Sequence, residues 1–211
     1  MMVKEYQAVF CYDSLMNKLK TICVFCGSGT GSNPVYGEAA GILGDLLSRQ
    51  SLNLVYGGSN IGLMGIVSAT VRDGGGKVTG VIPERIAENV PGQDGITMEV
   101  VPGMHERKAL MYELSDAFIS LPGGIGTLEE TFEAWTWNQL GYHAKPLALL
   151  NINVYFDSLL NFLDNMSSEG FLKRNQRDAL IVDTDPEKLM TKISAWKPPE
   201  GVKWESLKPS S

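Results

Sequence analysis

Three glycine-rich turns are the first features of this sequence whose composition and spacing could do chemistry. They are the first glycine turn (Cys26–Gly29), the second glycine turn (Tyr56–Gly62) and the third glycine turn (Leu121–Thr127). Each follows a predicted strand and leads into a predicted helix. Glycine lets backbone amides approach a phosphate closely, and the N-terminus of a helix presents a positive dipole end to it. One such turn could merely shape a tight connection, but three in one chain favour a nucleotide-like ligand.

The turns depart from the common nucleotide-binding motifs. The first glycine turn leads to Ser32 where the dinucleotide fingerprint has its third glycine, and no acid follows the second predicted strand to hold a ribose. Gly76-Lys77 lacks the earlier glycine of a phosphate-binding P-loop, because that position is Val71, and Val78 stands where the loop has serine or threonine. The sequence therefore disfavours both an NAD enzyme and an ATPase.

Arg107 is unusual in the helix predicted over Met104–Leu114. At helical spacing it shares a face with Leu110, Met111 and Leu114, so a cation lies on an apolar stripe. It also lies in the first turn, where a cation opposes the helix dipole at a cost of roughly 0.3–1 kcal/mol. An anion bound near the helix would explain both features, whereas the alternative is an arginine that snorkels or forms a salt bridge. The neighbouring Lys108 could add a phosphate contact.

Glu130 lies in the helix that follows the third glycine turn, predicted over Thr127–Leu140. Thr127 and Glu130 have the spacing of a capping box, in which the glutamate only reaches back to the threonine amide. The predicted sheet-facing stripe of this helix is Leu128, Phe132 and Trp135. That stripe leaves Glu130 roughly opposite the sheet and Glu129 in solvent. A carboxylate repels a nearby phosphate, so an acid at this position needs another role, such as binding ribose hydroxyls or a water. Glu130 is therefore a candidate catalytic residue.

Short β-branched segments alternate with amphipathic segments from Thr21 onward, which is typical of βαβ units around a mostly parallel sheet. The predicted strands are Thr21–Cys26, Asn53–Tyr56, Val78–Ile82, Met98–Val101, Ala117–Leu121, Leu147–Leu150 and Leu180–Val182. The predicted helices are one capped by Asn33 with Pro34 at its first position, Leu63–Arg72, Met104–Leu114, Thr127–Leu140, Tyr155–Met166 and Pro186–Trp196. We therefore expect an α/β fold with about seven strands and helices on both faces, in which the glycine turns meet at the carboxyl edge.

The composition limits what this chain can bind. It has 211 residues, of which 44% are hydrophobic and 20% charged, and this excludes extended disorder. Its 18 Lys and Arg residues against 24 Asp and Glu give a net charge of −6, so neither nucleic acid nor an anionic membrane is an expected partner. No apolar segment approaches the roughly 20 residues that cross a bilayer, and no signal peptide is recognisable. The expected partner is a small molecule.

The three cysteines, Cys11, Cys23 and Cys26, are too few for a disulfide framework, which indicates a cytoplasmic protein. Cys23 and Cys26 have the spacing of a redox pair. They lie in one predicted strand, however, where residues three apart point to opposite faces of the sheet. We therefore expect no thiol chemistry from this pair.

One domain is expected over residues 21–196, between an N-terminal extension (1–20) and a flexible C-terminal tail (197–211). The helix predicted over Thr127–Leu140 carries apolar side chains beyond its sheet-facing stripe, at Trp137 and Leu140. Apolar side chains on a second face indicate a subunit contact, so we expect a homodimer.

The same motifs resemble those of the LOG ("lonely guy") family, the cytokinin riboside 5′-monophosphate phosphoribohydrolases. Pro122–Glu130 matches the P-G-G-x-G-T-x-x-E motif of the family, and Met104–Lys108 resembles its arginine-lysine segment. Further segments that occur in the family's order are Cys26–Ser28, Tyr56–Gly58, Gly62–Gly65 and Gly80–Pro83. The resemblance extends from about Thr21 to Trp196, and many members of the family carry an older label of possible lysine decarboxylase.

The resemblance implies a Rossmann-like, doubly wound fold. It also implies hydrolysis of the N-glycosidic bond of a nucleoside 5′-monophosphate, which releases an adenine-type base and ribose 5-phosphate, with Arg107 and Glu130 as the catalytic pair and with no cofactor or metal. The substrate-binding residues that it implies are Glu88, Arg107, Lys108, Gly124, Ile125, Gly126, Thr127, Glu130 and Thr136. The loop that holds Glu88, residues 88–96, differs from the family in length and in amino-acid sequence. In such a site a carboxylate stabilises positive charge on the ribose or activates water, while the remote phosphate orients the sugar.

Several alternatives stay open on the sequence alone. Arg107 could act on the phosphate or on the leaving base, and the base could be required to carry an N6-isoprenoid group. A non-catalytic nucleotide sensor on the same fold is the strongest rival, although a pure binder gains little from an acid beside a phosphate. A lysine decarboxylase is disfavoured, because pyridoxal phosphate needs a dedicated lysine and partners for its ring, and only Lys108 lies among the motifs.

Overall fold

The computed structural model describes residues 19–88, 90 and 93–199, and these contain a seven-stranded sheet. The strands are β1 (Thr21–Phe25), β2 (Asn53–Tyr56), β3 (Val78–Pro83), β4 (Thr97–Val101), β5 (Ala117–Ser120), β6 (Leu147–Leu150) and β7 (Ile181–Asp183). Each strand begins and ends within one residue of its predicted bounds. The predicted N-terminal extension (1–20) and C-terminal tail (197–211) lie almost entirely outside the described residues.

The strand order is β4-β3-β2-β1-β5-β6-β7, and each pair of neighbours is parallel. At the centre of the sheet, Val24 of β1 pairs with Tyr56 of β2 on one side and with Ile119 of β5 on the other. The chain therefore reverses its direction of winding between β1 and β5. This order confirms the predicted α/β, doubly wound fold, and it places a ligand crevice where the first and third glycine turns leave the sheet.

Helices cover both faces of the sheet. They are α1 (Val35–Arg49), α2 (Gly62–Asp73), α3 (Glu84–Ala87), α4 (Met104–Glu113), α5 (Ile125–Leu140), α6 (Asp157–Ser168), α7 (Arg174–Ala179) and α8 (Pro186–Ala195), with a short 3₁₀ turn at Ile152–Val154. The short helices α3 and α7 were not predicted, because neither is long enough to show an apolar repeat. The start of α1 differs from the prediction by one residue: the N-cap residue is Pro34 rather than Asn33, and the helix begins at Val35. Asn33 Oδ1 still accepts a hydrogen bond from Val35 N at 3.1 Å.

Two apolar cores lie against opposite faces of the sheet. One packs α1, α2 and α8 against the sheet through residues such as Leu43, Val67 and Leu189. The other packs α4, α5 and α6 through residues such as Met111, Trp135 and Leu163. Alternation along β1 sends successive side chains to different cores, as expected for a strand buried on both faces.

Cys23 and Cys26 belong to different cores, so their side chains lie on opposite faces of the sheet. Both are buried free thiols. Burial raises the pKa of each thiol, most of all by removing it from water, and Glu130 adds to the effect. The expected absence of a redox pair at these two positions is confirmed. Within the described part of the chain, no helix is both long enough and apolar enough to cross a membrane.

Candidate active site

The first and third glycine turns meet above the centre of the sheet. Gly27 N donates a hydrogen bond to Pro122 O at 3.1 Å, which joins the two turns directly. Leu63 N, at the start of α2, donates to Gly27 O at 3.0 Å and brings in the end of the second glycine turn. Gly62 has a φ of +62°, and a Cβ at this position would collide with the carbonyl group of Ser28. The close approach of these turns therefore requires glycine at position 62.

A cleft of about 370 Å³ opens between these turns. Backbone of residues 27–31 lines one side and residues 122–124 line the other, while Tyr36 and Tyr155 close one end. The two tyrosine rings pack edge to face at a centroid distance of 5.8 Å. Tyr155 Oη donates a hydrogen bond to Gly123 O at 2.5 Å, so this side chain holds the third glycine turn in place.

Helix α5 begins at this cleft. Gly124 is its N-cap residue, and Ile125 and Gly126 in its first turn are exposed, whereas Thr127 is buried. The first amides of a helix have no partner within it, and together with the helix dipole they form a site for an anion. The predicted residues 124–127 therefore form the N-cap and first turn of α5, and Gly124 lines the cleft.

The predicted capping box is wrong. Helix α5 starts at Ile125, two residues before the predicted start at Thr127, and the cap residue Gly124 makes no side-chain hydrogen bond. Glu130 consequently lies in the second turn of the helix, where no amide is free to be capped. Its carboxylate contacts Arg107 instead.

Arg107 and Glu130 form a buried ion pair between α4 and α5. Arg107 Nη2 lies 2.9 Å from Glu130 Oε1, and the two side chains are only 12% and 10% exposed. Arg107 Nε also donates a hydrogen bond to Val81 O at 3.1 Å, at the carboxyl end of β3. The guanidinium packs directly against Gly57 of the second glycine turn. The structure therefore brings the two predicted catalytic residues together beneath this turn.

Burial raises the pKa of Glu130 above its ordinary value, while the positive charge of Arg107 opposes this change. Glu129 and Glu133 raise the pKa further, and Lys108 lowers it. A buried carboxylate with a raised pKa binds a proton more readily than an exposed one, so Glu130 is better suited than an exposed glutamate to exchange a proton with water.

The predicted orientation of α5 is confirmed only in part. The residues that the helix buries are Thr127, Glu130, Thr131, Ala134, Trp135 and Asn138. Trp135 of the predicted sheet-facing stripe is buried, and Leu128 and Phe132 are half-buried against the same core. The placement of Glu130 is wrong, because it is buried rather than turned away from the sheet. The buried face also carries polar residues that have partners: Thr131 Oγ1, for example, lies 2.7 Å from Ser120 Oγ.

Helix α4 shows the same departure. Its buried residues are Lys108, Met111 and Tyr112, whereas Leu114, which lies on the stripe expected for Arg107, is exposed. Lys108 does not reach the cleft: its ammonium group contacts the carboxylates of Glu129 and Glu133 on α5. Glu129 is about half exposed, as expected, but it is not free in solvent because it pairs with Lys108.

The remaining predicted residues lie apart from the ion pair. Glu88 is exposed just after α3, and Thr136 is exposed on α5. Sequence reasoning missed Tyr155, which binds the third glycine turn, and it missed Tyr112 and Glu133, which bind each other beside Lys108. No local signal marks these contacts, because each joins residues far apart in the chain. Among the described residues, no three His, Cys, Asp or Glu side chains are grouped as metal ligands would be.

Comparison with known proteins agrees with this geometry. Residues 64–193 match the sequence profile of a family described as possible lysine decarboxylase. The cytokinin riboside 5′-monophosphate phosphoribohydrolase LOG5 of Arabidopsis thaliana is 45% identical over 183 residues, which cover 86% of this chain and 80% of that protein. The corresponding LOG enzyme of Oryza sativa subsp. japonica is 44% identical over 198 residues, which cover 92% of this chain and 82% of that protein.

Solved structures share the fold. The molybdenum cofactor binding protein of the phototrophic bacterium Rippkaea orientalis has a TM-score of 0.64 and 26% identity, over 85% of this chain and 98% of that one. The molybdenum cofactor carrier protein of Chlamydomonas reinhardtii has a TM-score of 0.62 over 84% of this chain and 98% of that one, and at 18% identity it shows the fold alone. The sequence matches are the more specific finding: the chain belongs to the family described as possible lysine decarboxylase, which is the family of the LOG phosphoribohydrolases.

Proposed function

We propose that this protein hydrolyses the N-glycosidic bond of a nucleoside 5′-monophosphate and releases the base and ribose 5-phosphate. The observation that carries the proposal is the buried Arg107–Glu130 pair, held beneath the second glycine turn and close to the open N-terminus of α5. Relatives 44–46% identical to this chain are named phosphoribohydrolases of cytokinin riboside 5′-monophosphates, which supports the same reaction here.

The proposal divides the substrate between two parts of the site. The phosphate binds the amides of Gly124, Ile125, Gly126 and Thr127, where the dipole of α5 favours negative charge. The ribose then extends toward Glu130. Binding energy from the phosphate, which is remote from the reacting carbon, holds the sugar in position for reaction.

Glu130 and Arg107 act on the reacting end of the substrate. Water supplies an oxygen to C1′ as the bond from C1′ to the base nitrogen breaks, and one water proton ends on the base. The Glu130 carboxylate stabilises the positive charge that develops on the ribose, accepts this proton as the water oxygen bonds to C1′, and then passes it to the leaving base nitrogen. We assign Arg107 to Glu130 and the leaving base rather than to the phosphate, because its guanidinium already binds Glu130 and Val81 O.

Of the three remaining predicted residues, two are assigned to the substrate and one is not. Glu88 and Thr136 stay in the proposal as substrate contacts on the resemblance of the motifs, since both are exposed and accessible. Lys108 is not assigned to the phosphate, because two carboxylates hold its ammonium group. The same contacts disfavour Lys108 as the lysine of a pyridoxal phosphate enzyme, which must reach the cofactor.

A homodimer in the cytoplasm is the expected setting. Leu140 and Tyr142, at the end of α5, are 53% and 59% exposed, and we propose that they form the subunit contact expected near Trp137. The two buried free thiols agree with a reducing compartment.

The test compares isopentenyladenosine monophosphate, AMP and the unphosphorylated riboside with purified protein. We expect the monophosphates to be cleaved far better than the riboside, and the ratio between the two monophosphates will report whether the N6 group is required. Glu130→Gln should lower kcat about 10² to 10⁴-fold, because the neutral amide cannot accept a proton from water. Glu129→Gln is the matched control on the next residue: Glu133 still holds Lys108 in this variant, so it should lose far less activity than Glu130→Gln.

The alternative function is a non-catalytic nucleotide binder. The likeness to a molybdenum cofactor binding protein is the observation that favours it. Tight binding of the monophosphates without release of base, in both the wild type and Glu129→Gln, would establish the binder and overturn the hydrolase.

A further inference from the structure

A second set of buried charges lies beside the Arg107–Glu130 pair. The Lys108 side chain is only 6% exposed, and its Nζ contacts the Glu129 carboxylate and lies 3.0 Å from Glu133 Oε1. The other oxygen of Glu133, Oε2, accepts a hydrogen bond of 2.7 Å from Tyr112 Oη. Tyr112 Oη also lies 3.3 Å from the carbonyl oxygen of Glu130. These contacts join α4 to α5 through four side chains outside the catalytic pair, two on each helix.

The chain positions of these residues connect them to the catalytic pair. Lys108 directly follows Arg107 on α4, and Glu133 lies one helical turn beyond Glu130 on α5. A helix turns by about 100° per residue, so fixing Lys108 against α5 also fixes the direction in which Arg107 leaves α4. Tyr112 lies one turn after Lys108 and fixes the same two helices further along.

We propose that Lys108, Glu133 and Tyr112 are positioning residues, which hold α4 against α5 so that the guanidinium of Arg107 stays on Glu130. This inference rests on the proposed function. It gives Lys108 a role that differs from the substrate contact implied by the family resemblance. The ammonium group has three donors, and the two carboxylates already engage it on the α5 side.

Positioning matters here because a small displacement of Arg107 would separate two buried charges. Removing the partner of a buried ion leaves that ion without compensation, which is more costly than losing an exposed pair. A displacement of about 1 Å in a catalytic group can cost about 100-fold in rate. Lys108, Glu133 and Tyr112 should therefore affect kcat although none is assigned to the substrate.

The charges of Lys108, Glu129 and Glu133 also act on the pKa of Glu130. The ionisable groups that face it are Arg107, Lys108 and Tyr112 on α4, Glu129 and Glu133 on α5, and the thiols of Cys23 and Cys26 from β1 and the first glycine turn. Burial raises the pKa of the tyrosine and of both thiols, so these three groups are neutral near pH 7. Lys108 lowers the pKa of Glu130, whereas Glu133 raises it.

Two variants break the same ion pair from opposite sides. Lys108→Met keeps the apolar stem of the side chain, and Glu133→Gln keeps its shape. We expect each to lower kcat about 10 to 100-fold. The preference for the monophosphate over the riboside, measured as the ratio of kcat/KM, should stay at the wild-type value in both. If Lys108 bound the phosphate, Lys108→Met would lower this ratio and Glu133→Gln would leave kcat unchanged, and that result would overturn the proposal.

The pH profile of kcat separates this role from a merely structural one. Loss of Lys108 should move the acid limb of the profile to higher pH, and loss of Glu133 should move it to lower pH, because the two residues act on Glu130 with opposite sign. Damage to packing alone would move both variants in the same direction or move neither, and either outcome counts against the proposal.

Three controls keep the result interpretable. Lys108→Arg retains the charge and should recover most of the activity lost in Lys108→Met, whereas Lys77→Met changes an exposed lysine and should have no effect. Tyr112→Phe removes only a hydroxyl and should show a smaller loss of kcat even if Lys108→Met fails to fold. Failure of that variant to change kcat would overturn the role of Tyr112.

A readout without turnover distinguishes the two proposals. If the wild type cleaves no nucleotide, the proposed function fails. The positioning proposal is then tested by the ¹³C titration of the Glu130 carboxyl carbon, assigned with Glu130→Gln. That titration should move in opposite directions in Lys108→Met and Glu133→Gln, and a titration unchanged in both would overturn it.

Discussion

The guanidinium of Arg107 occupies the space that a side chain at Gly57 would need. A Cβ added at residue 57 would collide with Arg107 Nη2, and Met64 Sδ would lie 3.0 Å from it on the other side. The absence of a side chain at Gly57 therefore leaves room for the ion pair of Arg107 and Glu130, the proposed catalytic pair. Arg107 is confined by Gly57 above, by Val81 O and by the carboxylate of Glu130.

This contact predicts that Gly57→Ala displaces Arg107. We expect kcat to fall about 10 to 100-fold, because the guanidinium can no longer lie on Glu130. The matched control is Gly41→Ala in α1, where the nearest side-chain atom to an added Cβ lies at 4.0 Å. This control should leave kcat unchanged and stabilise the helix by roughly 0.5–1 kcal/mol. Equal activity of the two variants would show that the position of Arg107 does not limit the reaction.

The pKa of Glu130 predicts a pH dependence of stability. Burial raises this pKa in the folded protein above its ordinary value of 4.5. Between the two values the folded protein binds more protons than the unfolded chain, so the stabilisation from this group is present below pH 4.5 and is lost as the pH rises through the folded pKa. Glu130→Gln lacks this change and should gain stability relative to the wild type over the same range.

Urea denaturation of both proteins from about pH 4 to pH 7 measures this difference. The difference in unfolding free energy should move in favour of Glu130→Gln as the pH rises. Movement in favour of the wild type would mean that the charge of Arg107 outweighs burial and that the pKa of Glu130 is lowered instead.

Tyr155→Phe should weaken binding of the monophosphate. The hydroxyl of Tyr155 holds Gly123 O, next to the N-cap residue of α5, so its loss loosens the proposed phosphate site. We expect KM to rise several-fold while kcat changes less, because Arg107 and Glu130 are not touched. Tyr36→Phe is the control from the same cleft, since its hydroxyl accepts a hydrogen bond from Asn153 and not from the turn. A similar rise of KM in both variants would contradict the proposal that the hydrogen bond from Tyr155 to Gly123 O supports phosphate binding.

Leu140→Glu should separate the proposed homodimer. Leu140 is 53% exposed at the end of α5, and a charge buried at a subunit contact is strongly unfavourable. Sedimentation at micromolar concentration should give twice 23.0 kDa for the wild type and 23.0 kDa for the variant. Ile42→Glu, at a residue of similar exposure on α1, should remain dimeric. A monomeric wild-type protein would contradict the proposed homodimer.

The bounds of the strands follow from the sequence because each strand is a short, largely apolar segment that is set off from its neighbours by turn residues or helical patterns. Helix orientation does not follow in the same way. Lysine is normally exposed, but Lys108 is buried because two carboxylates bind its ammonium group. These carboxylates lie 21 and 25 residues further along the chain. No local pattern contains both the lysine and its partners, so the burial of Lys108 could not be predicted. The stripe predicted for Arg107 is correspondingly incomplete, because Leu114 is exposed.

The catalytic pair illustrates the same limit. The types and spacing of residues indicated that Arg107 and Glu130 mattered, yet the local spacing of Thr127 and Glu130 also fitted a capping box. Only tertiary contact decides between these interpretations. The helix starts at Ile125, and the carboxylate that a cap would use faces Arg107 across the gap between two helices.

The central position of β1 has a consequence for the synthesis of the chain. One edge of β1 is covered by β2 soon after it is made, but the other edge waits for β5, which begins at Ala117. Until then the growing chain exposes an unpaired, apolar strand edge, which is a template for mispairing with another chain. The cleft beside the first glycine turn is also incomplete until Pro122 O accepts the hydrogen bond from Gly27 N. A ribosome that stalls before residue 117 would therefore leave an aggregation-prone fragment, and the proposed phosphate site forms only when the second half of the sheet has joined the first.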